Sequence, residues 1–182
     1  MSRKINRKMT SKERVLTTFA NREADRVPIN YLSNPDIDLR LKKHFGLKPD
    51  DSEGLRNAFG VDFRGVGARY TGKRLHAVRK GRNVDPVWGW VTRYVEHGQG
   101  GYWDYCDFPL VTADEDAVAR WPLPSPDDFD YSGIAAACER NKQYAVCVGG
   151  AGLACIMNTA GFLRSMEQMF VDLALDEPAG LL

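Results

Sequence analysis

Apolar and polar positions follow two periods along the chain, and the switches between them lay out a string of helices and strands. Val15, Leu16 and Phe19 recur at helical spacing after Thr10 and Ser11, either of which can cap the helix. Glu13 stands three residues after Thr10, the spacing of a capping box. The polar run 21–25 ends this helix, and residues 26–32, RVPINYL, are β-prone with Pro28 near the entry. Ile37, Leu41 and Phe45 predict a helix over 36–45 that Gly46 closes. A shorter helix is expected over 51–58, ahead of Gly60. Residues 62–70 read as extended, and the Lys/Arg-rich 71–85 as an exposed loop or hairpin.

Residues 87–96, VWGWVTRYVE, alternate and are aromatic, which predicts a strand. Gly98, Gly100 and Gly101 supply a turn, and 102–105 return as its partner. Thr112 is placed to cap a helix over 114–121. Pro122, Pro124 and Pro126 stiffen the connector to a helix over 129–140. Residues 144–148, YAVCV, form a continuous apolar run, as in a strand covered on both faces. A last helix is expected over 162–175, with Leu163, Met166, Phe170 and Leu173 on one face and Arg164, Glu167 and Gln168 towards water. The class is α/β or α+β; the barrel implied by the family resemblance described below would make 26–32 and 144–149 two parallel core strands.

Composition narrows this little. The chain of 182 residues is 43% hydrophobic and 27% charged, as globular domains are. A net charge of +1 gives no whole-domain field for nucleic acid or an acidic membrane. The four cysteines, 106, 138, 147 and 155, form no C-x-x-C pair, and a reducing, cytoplasmic setting fits them. No stretch approaches the ~20 apolar residues of a membrane span. Residues 1–9 are basic without an apolar core and read as a frayed, flexible tail.

Four segments carry a family resemblance: T-x-x-E-R-V-L from Thr10 and D-R-V-P from Asp25; F-G-V-D over Phe59, Gly60, Val61 and Asp62; WPLPSPDDFDY over 121–131; and GGAGL over 149–153 with LRSME over 163–167. In order and spacing they resemble the N-terminal part of the uroporphyrinogen decarboxylase superfamily, which holds the haem-pathway decarboxylase and methyltransferases acting with corrinoids, thiols or methylated substrates. The resemblance implies a TIM (β/α)8 barrel of the uroporphyrinogen decarboxylase type, with 10–182 as the N-terminal portion of one such domain. A full barrel takes roughly 250 residues, so the expectation is a chain truncated after about the second barrel strand and its helix, inactive alone.

Barrel chemistry sits at the C-terminal ends of strands. Asp36 is therefore the candidate catalytic group: it can hold a substrate N–H or a cation, or serve as a first-turn helix acid. Asn34 beside it is a candidate substrate contact. Gly149, Gly150 and Ala151 form a second candidate site, where small residues let a substrate approach free backbone N–H groups. A tight turn without ligand uses the same residues. Asn158 is a further candidate, whereas Arg164 reads as a solvated helix residue. No metal site is expected within the chain. His97 and Cys106 lack a zinc spacing, His44 reads as structural and His76 as solvated.

Two reactions follow from the resemblance. One is cofactor-free decarboxylation of an acidic tetrapyrrole. The decarboxylase carries an arginine pair after its first strand, in M-R-Q-A-G-R-Y, and an F-S-D-I segment; residues 30–35 here read NYLSNP, and F-S-D-I is absent. Carboxylates buried without cationic partners are costly, which favours the second reaction, methyl transfer with zinc and a corrinoid. Its ligands, a His-x-Cys and a distant Cys, fall outside these residues, and a corrinoid protein would be its partner. A third expectation is an inert fragment or binding module.

Overall fold

The computed structural model describes residues 8–98, 100–148 and 156–175. It is mixed α/β, with short helices and three small sheets, and no closed barrel among the described residues. The chain divides into two compact units, the first from residues up to Arg69 together with those from Tyr131, the second from Tyr70–Asp130 together with the C-terminal helices.

In the first unit α1 (Ser11–Phe19) begins with the capping box: Thr10 Oγ1 accepts from the Glu13 amide, and Glu13 accepts from the Thr10 amide at 2.9 Å. The helix buries Val15 and, less expectedly, Arg14. In α2 (Pro35–His44) Asn34 caps the start and Gly46, at φ +67°, follows the end. The expected apolar face of this helix is not its buried face: Ile37 and Phe45 stay exposed, while Lys42 is buried and reaches Asp38, the Pro49 carbonyl and Ser52. Asp51 caps α3 (Ser52–Ala58), which buries Leu55. β1 (Phe63–Val66) then pairs in parallel with β7 (Ala145–Val148), in the register Phe63 opposite Ala145 and Val66 opposite Val148. α5 (Ile134–Arg140) precedes β7.

Residues 26–32 do not form the expected strand. Pro28 has no N–H to give, and the Ile29 amide is taken by the Asp62 side chain. The Ile29 carbonyl does accept from the Asp62 amide at 2.8 Å, which sets the segment beside the start of β1 without a ladder.

In the second unit β3 (Asn83–Val84), β4 (Val91–His97) and β5 (Gly100–Tyr105) form an antiparallel sheet in that order. The strand starts at Val91 rather than at 87 because residues 85–90 are a turn. Asp85 accepts from the amides of Val87 and Trp88, and Gly89 adopts φ +84°. Val84, Val91 and Cys106 make a small buried cluster. β2 (Arg69–Tyr70) pairs with β6 (Phe129–Asp130), which takes the start of the helix expected over 129–140. α4 (Glu115–Ala119) is capped by Asp114, not Thr112. The expected C-terminal helix is two helices, α6 (Ile156–Arg164) and α7 (Met166–Leu175), broken at Ser165 with φ +66°. The Ser165 hydroxyl accepts from the Gln168 amide and so restarts the helix. Met169 and Asp172 form the buried side of α7, leaving Met166, Phe170 and Leu173 exposed.

Candidate functional site

Asp62 is fully buried, at 0% exposure, directly before β1. A carboxylate there needs cationic partners and donors for both oxygens. Oδ1 accepts from Arg14 Nη1 and from Arg26 Nη2 at 3.0 Å; Oδ2 accepts from Arg26 Nη1 at 2.7 Å and from the Ile29 amide at 2.8 Å. The Ser11 hydroxyl donates as well. Burial alone pushes the Asp62 carboxyl up, but these donors, Arg26 foremost, outweigh it and hold the group below its ordinary range.

Arg14 links this carboxylate to a second one. Its Nε and Nη2 donate to Asp25 at 2.6 and 2.9 Å, and Nη2 also reaches the Met9 carbonyl. The Arg14 bond holds Asp25 far below the usual carboxylate range, and the Asp25 bond in turn raises Arg14. Arg26 closes the network by donating to the carbonyls of Gly60 and Val27. Thus the R of the first motif, D-R of the second and the final D of F-G-V-D meet at one point.

A cavity of about 330 Å³ opens beside the network, lined by Thr10, Ser11, Arg14, Arg26, Asn57 and Tyr144 among others. Both arginines give most of their donors to carboxylates and carbonyls, and their two charges face two carboxylates, so the cluster clamps α1 and 26–32 onto β1.

The residues expected to carry chemistry are placed differently. Asn34 Oδ1 accepts from the Ile37 amide at 2.9 Å, a capping role. Asp36 lies half-buried in the first turn of α2, two residues from Asn34. These two share one helix start. Asn158 is exposed on α6, in the other unit. Gly149, Gly150 and Ala151 lie outside the described residues.

Three side chains expected to be solvated are not. Arg164 donates to Asp172, which is fully buried, and to the carbonyls of Leu110 and Ala113, both at 2.8 Å. The Arg164 bond, joined by one from Gln168, lowers the Asp172 carboxyl. Gln168 therefore faces this pair rather than water. His76 is buried, stacked on Trp121 at 4.6 Å between ring centroids, with Nε2 3.0 Å from the Pro122 carbonyl. A carbonyl only accepts, so Nε2 carries the proton. His44 is exposed, set edge-on against Phe45.

Among the described residues no group of three or more His, Cys, Asp or Glu stands together as a metal site. No helix there is long and apolar enough to cross a membrane. No protein-family model, curated protein or solved structure matches the chain. Periodicity could not have found the Asp62 network, because its members lie up to 48 residues apart. The available signal was the charged residue inside each short motif.

Proposed function

We propose that the chain is a portion of a uroporphyrinogen-decarboxylase-superfamily enzyme, built on that family's barrel and, by resemblance, acting on an acidic tetrapyrrole by decarboxylation. One observation carries the family reading: Arg14 and Arg26, from two motif segments, both donate to the buried carboxylate of Asp62, the end of a third. Motifs held together by one structural task are expected to travel together within a family. The parallel pairing of β1 with β7, with 26–32 flanking β1, is compatible with neighbouring barrel strands. In this reading Asn34, Gly149, Gly150, Ala151 and Asn158 remain candidate substrate contacts, and Asp36 the candidate catalytic group that holds a substrate N–H or a cation.

A second reading, zinc- and corrinoid-dependent methyl transfer, is favoured by one specific feature. Residues 30–35 bring no arginine to the start of α2, where the substrate's carboxylates would need cations, and Asn34 is occupied as a cap. The metal would then be held by a His-x-Cys and a distant Cys outside residues 1–182, and the corrinoid by a partner protein.

The test is a paired assay of the natural protein. Loss of carboxylates from uroporphyrinogen supports the first reading. Demethylation of methylcobalamin that requires zinc supports the second. A folded protein that does neither returns the chain to an inert or binding role.

A further inference from the structure

The net charge of +1 averages over a split. Residues 73–93 hold six Lys and Arg and one acid, Asp85, for a net of +5, against −4 for the rest of the chain. All six cations, Lys73, Arg74, Arg79, Lys80, Arg82 and Arg93, are exposed. Asp85 turns its carboxylate onto the amides of Val87 and Trp88. Arg82 meets Asp107, and Arg93 stands 3.9 Å from Asp104. Among the described residues no other ion pair involves these six cations. Exposed cations in this excess are the electrostatic footprint of a polyanion site.

Three of them converge on the β3–β4–β5 sheet. Arg82 donates to Asp107, and the charges of Arg79 and Arg93 bear on the same carboxylate. The two carboxylates orient the arginines and leave the cluster positive. Side chains alternate between the faces of a strand. Arg82, Arg93, Asp104 and Tyr102 therefore share the face whose far end is the buried Val84–Val91–Cys106 cluster. Tyr102 is exposed there, two residues beyond Asp104, with His97 tilted against it at 5.7 Å.

We propose that this sheet face binds single-stranded nucleic acid, with phosphates on Arg79, Arg82 and Arg93 and a base stacked on Tyr102. Cations that track a backbone beside an exposed ring are what single strands need, whatever their sequence. An acidic peptide would use the cations and leave the ring idle. A bilayer would need a wider apolar anchor than Val78, the one strongly exposed aliphatic side chain of the basic loop. A duplex keeps its bases stacked away from a ring lying on a sheet. This site is independent of the catalytic reading.

The experiment is fluorescence anisotropy of a labelled oligouridine of about 12 nucleotides, within the site sizes of single-strand binders. The full chain is titrated at several salt concentrations, with a duplex of the same length and phosphatidylserine vesicles as competitors. Binding is expected in roughly the 1–100 µM range, with a logarithmic salt slope of about 0.7 per phosphate contact. Arg79→Gln should reduce that slope by about 0.7. Tyr102→Ala should weaken binding at least about fivefold with unchanged circular dichroism, and Tyr102→Phe should restore it. No binding at roughly 100 µM overturns the proposal, as does a folded Tyr102→Ala that binds equally well, or preference for the duplex or the vesicles. Should Tyr102→Ala fail to fold, photocrosslinking of a 4-thiouridine oligonucleotide to the wild type decides. Crosslinks within residues 93–104 support the site; crosslinks elsewhere, or none, overturn it.

Discussion

The two units solve the same problem with different chemistry. The first closes on charge: Arg14, Arg26, Asp25 and Asp62 hold α1 and residues 26–32 against β1, with Leu55, Val15 and Val61 as buried apolar neighbours in the same unit. The second closes on rings. Tyr105 stacks on Phe162 at 3.6 Å, Trp90 meets both edge-on, and His76 lies on Trp121. Ion networks are directional and fail when one partner is lost, whereas stacked rings lose contact area by degrees. The first unit should thus be brittle to single substitutions and to acid, and the second graded in its response.

The sharpest break is Asp62→Ala. Removing the carboxylate leaves two arginines without it, one of them buried, at a cost of about 3–5 kcal/mol. Urea denaturation should show that loss, with the β4–β5 hairpin retained. Phe162→Ala reverses the comparison. Its ring is only partly buried, so a loss of ~2 kcal/mol is expected, confined to the second unit and read by the same titration.

Acid gives a third contrast. Asp25 and Asp62 have folded pKa values below their unfolded ones. Their stabilisation is complete above the unfolded carboxylate pKa, near ~4, and is lost as pH falls through the folded values. As pH falls below about 4 the first unit should weaken, in an acid titration followed by hydrogen exchange. The Phe162 and Trp90 rings carry no ionisable group; in the second unit the Arg164–Asp172 and Arg82–Asp107 pairs should follow the acid trend.

The smallest effects are at the caps. Thr10→Ala and Asn34→Ala should each cost about 1 kcal/mol in thermal unfolding, and Asn34→Ser should recover most of the loss. Recovery of stability without recovery of activity would assign Asn34 a substrate contact beyond its cap.

The helix starts were the most legible parts of the sequence. Thr10 with Glu13 uses a local code in which donor and acceptor are three residues apart, and the structure shows both bonds. The hairpin was legible through Gly98, Gly100 and alternating aromatics, although the Asp85 turn delayed its first strand. Residues 26–32 misled because their β propensity is real while their hydrogen bonds go to a side chain, which no periodicity encodes. The helix over 162–175 misled for the opposite reason. Its apolar spacing continues through Ser165, yet the backbone reverses hand there and the buried side becomes Met169 and Asp172. Of the candidate site, the first-turn place of Asp36 could be read from sequence; the cap at Asn34 and the burial of Asp62 and Asp172 were not, the burial because it depends on arginine partners that no periodicity encodes.

Asp62 is the lock that holds residues 26–32 and α1 to β1. Site-resolved hydrogen exchange of the wild type and Asp62→Ala reads that lock at its own amide. The Ile29 amide, which donates to Asp62, should exchange at least a hundredfold faster in the variant, together with the amides of α1, while those of β4 and β5 keep their protection. Unchanged protection at Ile29, or an equal loss across both units, would contradict it.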